Sequence, residues 1–102
     1  MANPTQHQLE RHIRQSSKES SNVAFVKHAW DQMRARNVNQ AMVMEVLRTG
    51  CMHRPPEPDI RFTGLKCRME HFVSGINVAV VVAVEWPDPG LTVVTVIDIT
   101  KG

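Results

Sequence analysis

The sequence predicts an α+β domain: two short helices, with an optional third at the N-terminus, packed on a three- or four-stranded antiparallel β-meander. Three observations carry this. The hydrophobic period is helical as far as Gly50 and changes to two from Cys51 onward. The segment Ile76–Val84 is apolar on both faces (Val78, Val80, Val82 and Val84 against Ala79, Val81 and Ala83), the mark of a central strand. Short turns, Ser74-Gly75 and Trp86-Pro87-Asp88-Pro89-Gly90, join consecutive strands and make them antiparallel.

Residues 1–22 are polar and are expected to form either an N-terminal segment or a helix, with 23–102 as a single α+β domain. Within 5–15, Leu9, His12 and Ile13 share a narrow face that needs docking to persist as a helix. Val23 to Val26 is a short apolar stretch. His28–Arg36 then reads as a helix with Ala29, Trp30 and Met33 on its apolar arc and His28, Gln32 and Arg36 as a polar stripe. Asn37 stands at its end, where a left-handed residue is expected. Asn39 is the expected N-cap of a second helix, Gln40–Arg48, which buries Met42, Val43, Val46 and Leu47 and ends at a glycine cap, Gly50. Residues 53–59 hold three prolines and read as an irregular loop. Leu65–Val73 alternates, with Leu65, Cys67, Met69 and Val73 on one side and Lys66, Arg68 and Glu70 on the other; Leu91–Ile99 is the last long strand.

The chain is 102 residues long, 42% hydrophobic and 22% charged, which fits one small core and is too apolar for a disordered chain. Its longest apolar run, Val78–Val84, is far short of a membrane span, and the N-terminus lacks the charged and apolar parts of a signal peptide. Two cysteines do not make a disulfide scaffold and fit a reducing, cytoplasmic setting. The net charge of +2 is uneven: residues 27–71 carry +3, and 72–102 carry −2. A nucleic-acid face would therefore lie in the middle segment, although the charge is modest for a dedicated DNA binder.

Cys51, His53, Cys67 and His71 do not have the spacing of a zinc site, since Cys67 and His71 would stand roughly 13 Å apart on a strand. There is no nucleophile elbow and no glycine-rich phosphate loop. What remains is an acid–base and cation set: His28, Arg36, Arg61, Lys66, Arg68, Glu70 and His71. RNA cleavage without a metal needs a base for the 2′-hydroxyl, an acid for the leaving 5′-oxygen and cations for the phosphoryl charge. His28 and His71 suit the proton roles, Arg36 and Arg68 the phosphate, and Lys66 and Arg61 substrate binding. No cofactor is expected. The same residues also fit a structural reading, in which His28 and Arg36 tie helix to sheet.

Phe25-Val26-Lys27-His28-Ala29, then Met33, Arg36, Val38 and the helix through Leu47 and Gly50, resembles a bacterial and phage domain-of-unknown-function family, number 4258. That family's motif reads roughly T-K-H-A-x-x-R-M-x-x-R-G-I-S. The strands with Val80-Val81-Val82 and Val93-Val94-Thr95-Val96 are similar to its closing hairpin. His28, Ala29, Met33 and Arg36 match; Gln32 replaces an arginine and Asn37 a glycine. Such domains look distantly related to RelE, HigB and BrnT toxins, compact ribonucleases with helices on an antiparallel sheet, although tyrosine, frequent in RelE-type sites, is absent. The resemblance implies a RelE-like toxin-type domain acting on RNA or the ribosome, with an antitoxin or other protein as partner and no membrane. The alternative is a non-catalytic inhibitor module of the same fold, contacting its partner through Trp86 and Leu91 or Met44 and Met52.

Overall fold

A computed structural model describes residues 4–58 and 64–101. Three α-helices, α1 (Gln6–Ser16), α2 (Lys27–Ala35) and α3 (Gln40–Thr49), accompany five strands: β1 (Val23–Phe25), β2 (Glu57–Pro58), β3 (Leu65–Val73), β4 (Ile76–Val84) and β5 (Leu91–Asp98). The order across the sheet is β1-β5-β4-β3-β2, which puts the doubly apolar β4 at the centre.

The antiparallel meander is β3-β4-β5, but the sheet is larger and mixed. β1 runs parallel to β5, pairing Val23 with Leu91 and Phe25 with Val93. The connection that permits this is the whole α2–α3–β3–β4 excursion, invisible to an argument from adjacent turns. β2 adds a two-residue antiparallel edge, Glu57 opposite Lys66, inside the proline-rich segment expected to be irregular. Pro58 is tolerated because it occupies the outermost strand.

Local chemistry sets the helix ends. Thr5 and Gln8 form a reciprocal capping box on α1, each side chain bonding the other's backbone N–H. Asn37 is left-handed (φ 55°), and the Asn39 side chain accepts from Met42 N, 2.9 Å, to start α3. Ser74 and Gly75 both have positive φ, 50° and 84°, as a tight hairpin turn demands. Gly50 is the C-cap of α3, its N–H bonding Val46 O, with an extended backbone (φ −75°, ψ −178°). It is glycine because a Cβ there would meet Val46 O at 2.5 Å and Glu70 O at 2.7 Å. The position is where the end of α3 presses on β3.

All three α-helices lie on one face of the sheet. The core joins Leu9 and Ile13 of α1, Ala29 and Met33 of α2, and Met42, Val43, Val46 and Leu47 of α3 to one face of β3–β5, where a register shift at Val81/Val82 lets both Val93 and Val96 of β5 take part. Cys67 and Met69 pair with Val82 and Val80, and these with Val93 and Val96. Ala79 and Ala83, on the other face, are buried but stand outside this cluster. Met44, Met52 and Leu91, expected as exposed contacts of an inhibitor module, are instead buried.

Both rims of the sheet are closed by helix side chains. Where β1 ends, Gln32 Oε1 takes over and accepts from Val96 N at 2.8 Å. On the far side, Cys51 exchanges two backbone hydrogen bonds with Glu70, 3.0 and 2.9 Å. The outward groups of that edge segment meet one stripe of α1: Gln6 donates to Met52 O, Glu10 accepts from Met52 N and Arg14 donates twice to Gly50 O. Arg48 of α3 returns a hydrogen bond to Ser17 O, at the end of α1, so the two helix C-termini cap each other through arginines.

Candidate functional site

The face of the sheet that carries none of the α-helices is where polar side chains gather. Strand alternation puts Lys66, Arg68, Glu70 and Phe72 of β3 there, opposite Ala83, Val81, Ala79 and Asn77 of β4. Small residues on the central strand leave room for the long ones beside them. Arg68 and Glu70 lie flat over the sheet with side chains only 19% and 20% exposed, Arg68 Nε 3.2 Å from Glu70 Oε2. The angle does not make this a hydrogen bond, and that buried N–H has no other acceptor among the described residues. Lys66 Nζ reaches Glu57 Oε2 at 3.8 Å, an exposed contact worth little.

A cavity of about 280 Å³ opens beside this row, bordered by His53, Glu70, His71, Phe72, Asn77 and Ile99. His53 arrives through the Cys51–Glu70 pairing: Met52 turns into the core, so its neighbours Cys51 and His53 turn the other way, toward Glu70. His71 borders the cavity but points to the helical side, where its Nε2 is 3.5 Å from Glu45 Oε2 of α3.

The expected site residues therefore fall into two groups. Lys66, Arg68, Glu70 and His71 come together on β3. His28 and Arg36 lie on the α2 stripe whose middle member, Gln32, bonds the outer edge of β5. From β5 to β3 is two strand spacings, about 10 Å of backbone. Arg61 lies outside the described residues. Sequence reasoning does not reach His53, which its spacing offers only as a poor zinc ligand, or Phe72. The signal for Phe72 was available, since continuing the Lys66, Arg68, Glu70 parity puts a phenylalanine on the polar side.

Of the two cysteines, Cys51 is exposed and Cys67 buried; burial pushes the Cys67 thiol up to about 12, which removes its thiolate at neutral pH. Among the described residues no group of three or more His, Cys, Asp or Glu side chains is arranged to hold a metal ion, and no helix is long and apolar enough to cross a membrane. Two other cavities are accounted for differently. One of about 390 Å³ is lined by Arg11, Arg14, Lys18 and Arg48, two of which are the arginines that cap α1 and α3. One of about 430 Å³ sits at the α2–α3 turn beneath Trp30, whose ring stacks on Phe25 with centroids 4.5 Å apart.

Fold and site define a small α+β domain with helices on one side of a mixed sheet and a cationic, histidine-flanked strand on the other. The chain belongs to the family described as Domain of unknown function (DUF4258), whose model matches residues 25–98. Neither the curated proteins nor the solved structures yield a match. The match begins at the last residue of β1 and ends with β5, so α1 lies outside it although Leu9 and Ile13 are fully buried in the common core.

Proposed function

We propose that this domain is a RelE-like, RNA-targeting ribonuclease of the toxin type, working from the face of its sheet opposite the α-helices. The observation that carries the reading is the row Lys66, Arg68, Glu70 and Phe72 on that face, beside a cavity flanked by His53 and His71. Two cations, a carboxylate, the His53 imidazole and an aromatic ring on one side of the sheet, with His71 at the cavity's border, are parts that metal-free RNA cleavage can use.

In this reading Arg68 and Lys66 hold the scissile phosphate, and Glu70 fixes the Arg68 guanidinium without using up a well-aligned hydrogen bond. One histidine removes the proton of the ribose 2′-hydroxyl, whose oxygen attacks the adjacent phosphorus. The bond to the 5′-oxygen breaks, and a second acid protonates that oxygen. The products are a 2′,3′-cyclic phosphate and a 5′-hydroxyl. His53 is the better placed of the two histidines, because His71 turns toward Glu45. His28 and Arg36, beside β5, stand outside this centre.

Incubating the purified chain with RNA, with and without ribosomes, tests the proposal. Cleavage products ending in 2′,3′-cyclic phosphate are expected; intact RNA in both arms would end it. The inhibitor-module alternative has less behind it: exposed Phe72 and Trp86 stand toward opposite ends of the β3–β4 hairpin and Trp30 lies on α2, so among the described residues these three rings do not form one apolar patch.

A further inference from the structure

Phe72 is 62% exposed, far more than Trp30 at 38% or Trp86 at 40%. Its ring therefore presents an open aromatic face on the side of β3 that carries Lys66, Arg68 and Glu70. It has no stacking partner among the described residues, whereas Trp30 and Trp86 do: Trp30 stacks on Phe25, and Trp86 meets the edge of His12 at 5.0 Å. Phe72 borders the 280 Å³ cavity together with Asn77, its partner across β4, and with Glu70 and His53.

We infer that Phe72 is a stacking platform for one unpaired nucleobase, and that the cavity it borders is the base pocket of the proposed RNA site; this rests on the RNA reading above. The occupant follows from the chemistry. An aromatic face on the same side of β3 as Arg68 and Lys66, about 13 Å or more along the strand from them, suits a base in an extended chain whose neighbouring phosphates meet those cations. The Asn77 side chain, which carries both a donor and an acceptor, borders the same space and can read a base edge. A double-stranded RNA, with its bases stacked and paired, cannot offer a face to Phe72. The substrate class is therefore single-stranded or looped RNA.

The test measures binding of three labelled probes of equal length: a single-stranded oligoribonucleotide, an abasic sugar–phosphate oligomer and an RNA duplex. Wild type is compared with Phe72→Ala and Phe72→Trp, each checked for native circular dichroism. The expected result is a loss of roughly tenfold in single-strand affinity for Phe72→Ala, recovered by Phe72→Trp, with abasic binding unchanged. Equal single-strand affinity for wild type and Phe72→Ala would overturn the stacking role while leaving the RNA site intact. Absence of binding to every probe by wild type would overturn both.

Discussion

Glu70 meets Cys51 and Arg68 at once: its backbone exchanges two hydrogen bonds with Cys51, and its carboxylate Oε2 lies 3.2 Å from Arg68 Nε. One residue thus ties the segment that delivers His53 to the strand that carries the cations. Glu70→Gln keeps size and backbone pairing but releases the guanidinium. Native stability should fall by roughly 1–3 kcal/mol, since a largely buried guanidinium loses its charge partner, while RNA cleavage should fall several-fold. Denaturant titration and a cleavage assay on the same preparation check both.

Gly50 separates the end of α3 from β3. With Val46 O and Glu70 O, both backbone atoms, within 2.7 Å of the Cβ position, Gly50→Ala forces the helix off the strand. A loss of roughly 1–3 kcal/mol is expected. A melting temperature equal to wild type would show that this contact is looser than described.

Gln32→Ala removes the acceptor on Val96 N and leaves a part-buried backbone donor unpaired. The expected cost is about 1–2 kcal/mol, with RNA cleavage per folded molecule unchanged, because this bond closes the sheet's far rim. Urea unfolding reads the first, and single-turnover rates the second.

Cys67 gives the pH dependence. Its thiol is held up at about 12 by burial, against an unfolded value near 9.0. The folded chain keeps a proton that the unfolded chain has lost, so stability is intact below pH about 9 and falls as pH rises from there toward about 12. Cys67→Ala should flatten that alkaline decline. The same burial predicts that a thiol reagent at neutral pH labels exposed Cys51 alone in the native protein, and both cysteines after denaturation.

How far the sequence could be read follows from what each feature depends on. The two middle helices, their Asn37 and Asn39 boundaries, the β3–β5 meander and the Ser74-Gly75 turn depend on neighbours in the chain, and each was legible. β1 was not, because three residues show no period and their partner, Leu91–Val93, is more than sixty positions away. Gln32 looked like a cation missing from a phosphate-binding stripe; its contact with Val96 N gives it a different task. His28 and Arg36 shared a helix face with it, but no local signal could say which strand that face meets. Arg68 and Glu70 were readable from alternation. His53 depended on the Cys51–Glu70 pairing, which only the folded chain reveals.

Induced expression in bacteria, with growth and total RNA followed for wild type, Arg68→Ala and Arg36→Ala, tests the site opposite the α-helices most directly. The account predicts growth arrest and RNA cleavage by wild type and by Arg36→Ala, and a reduction of roughly a hundredfold or more in cleavage for folded Arg68→Ala. Normal growth with intact RNA for wild type, or cleavage lost in Arg36→Ala and kept in Arg68→Ala, would contradict it.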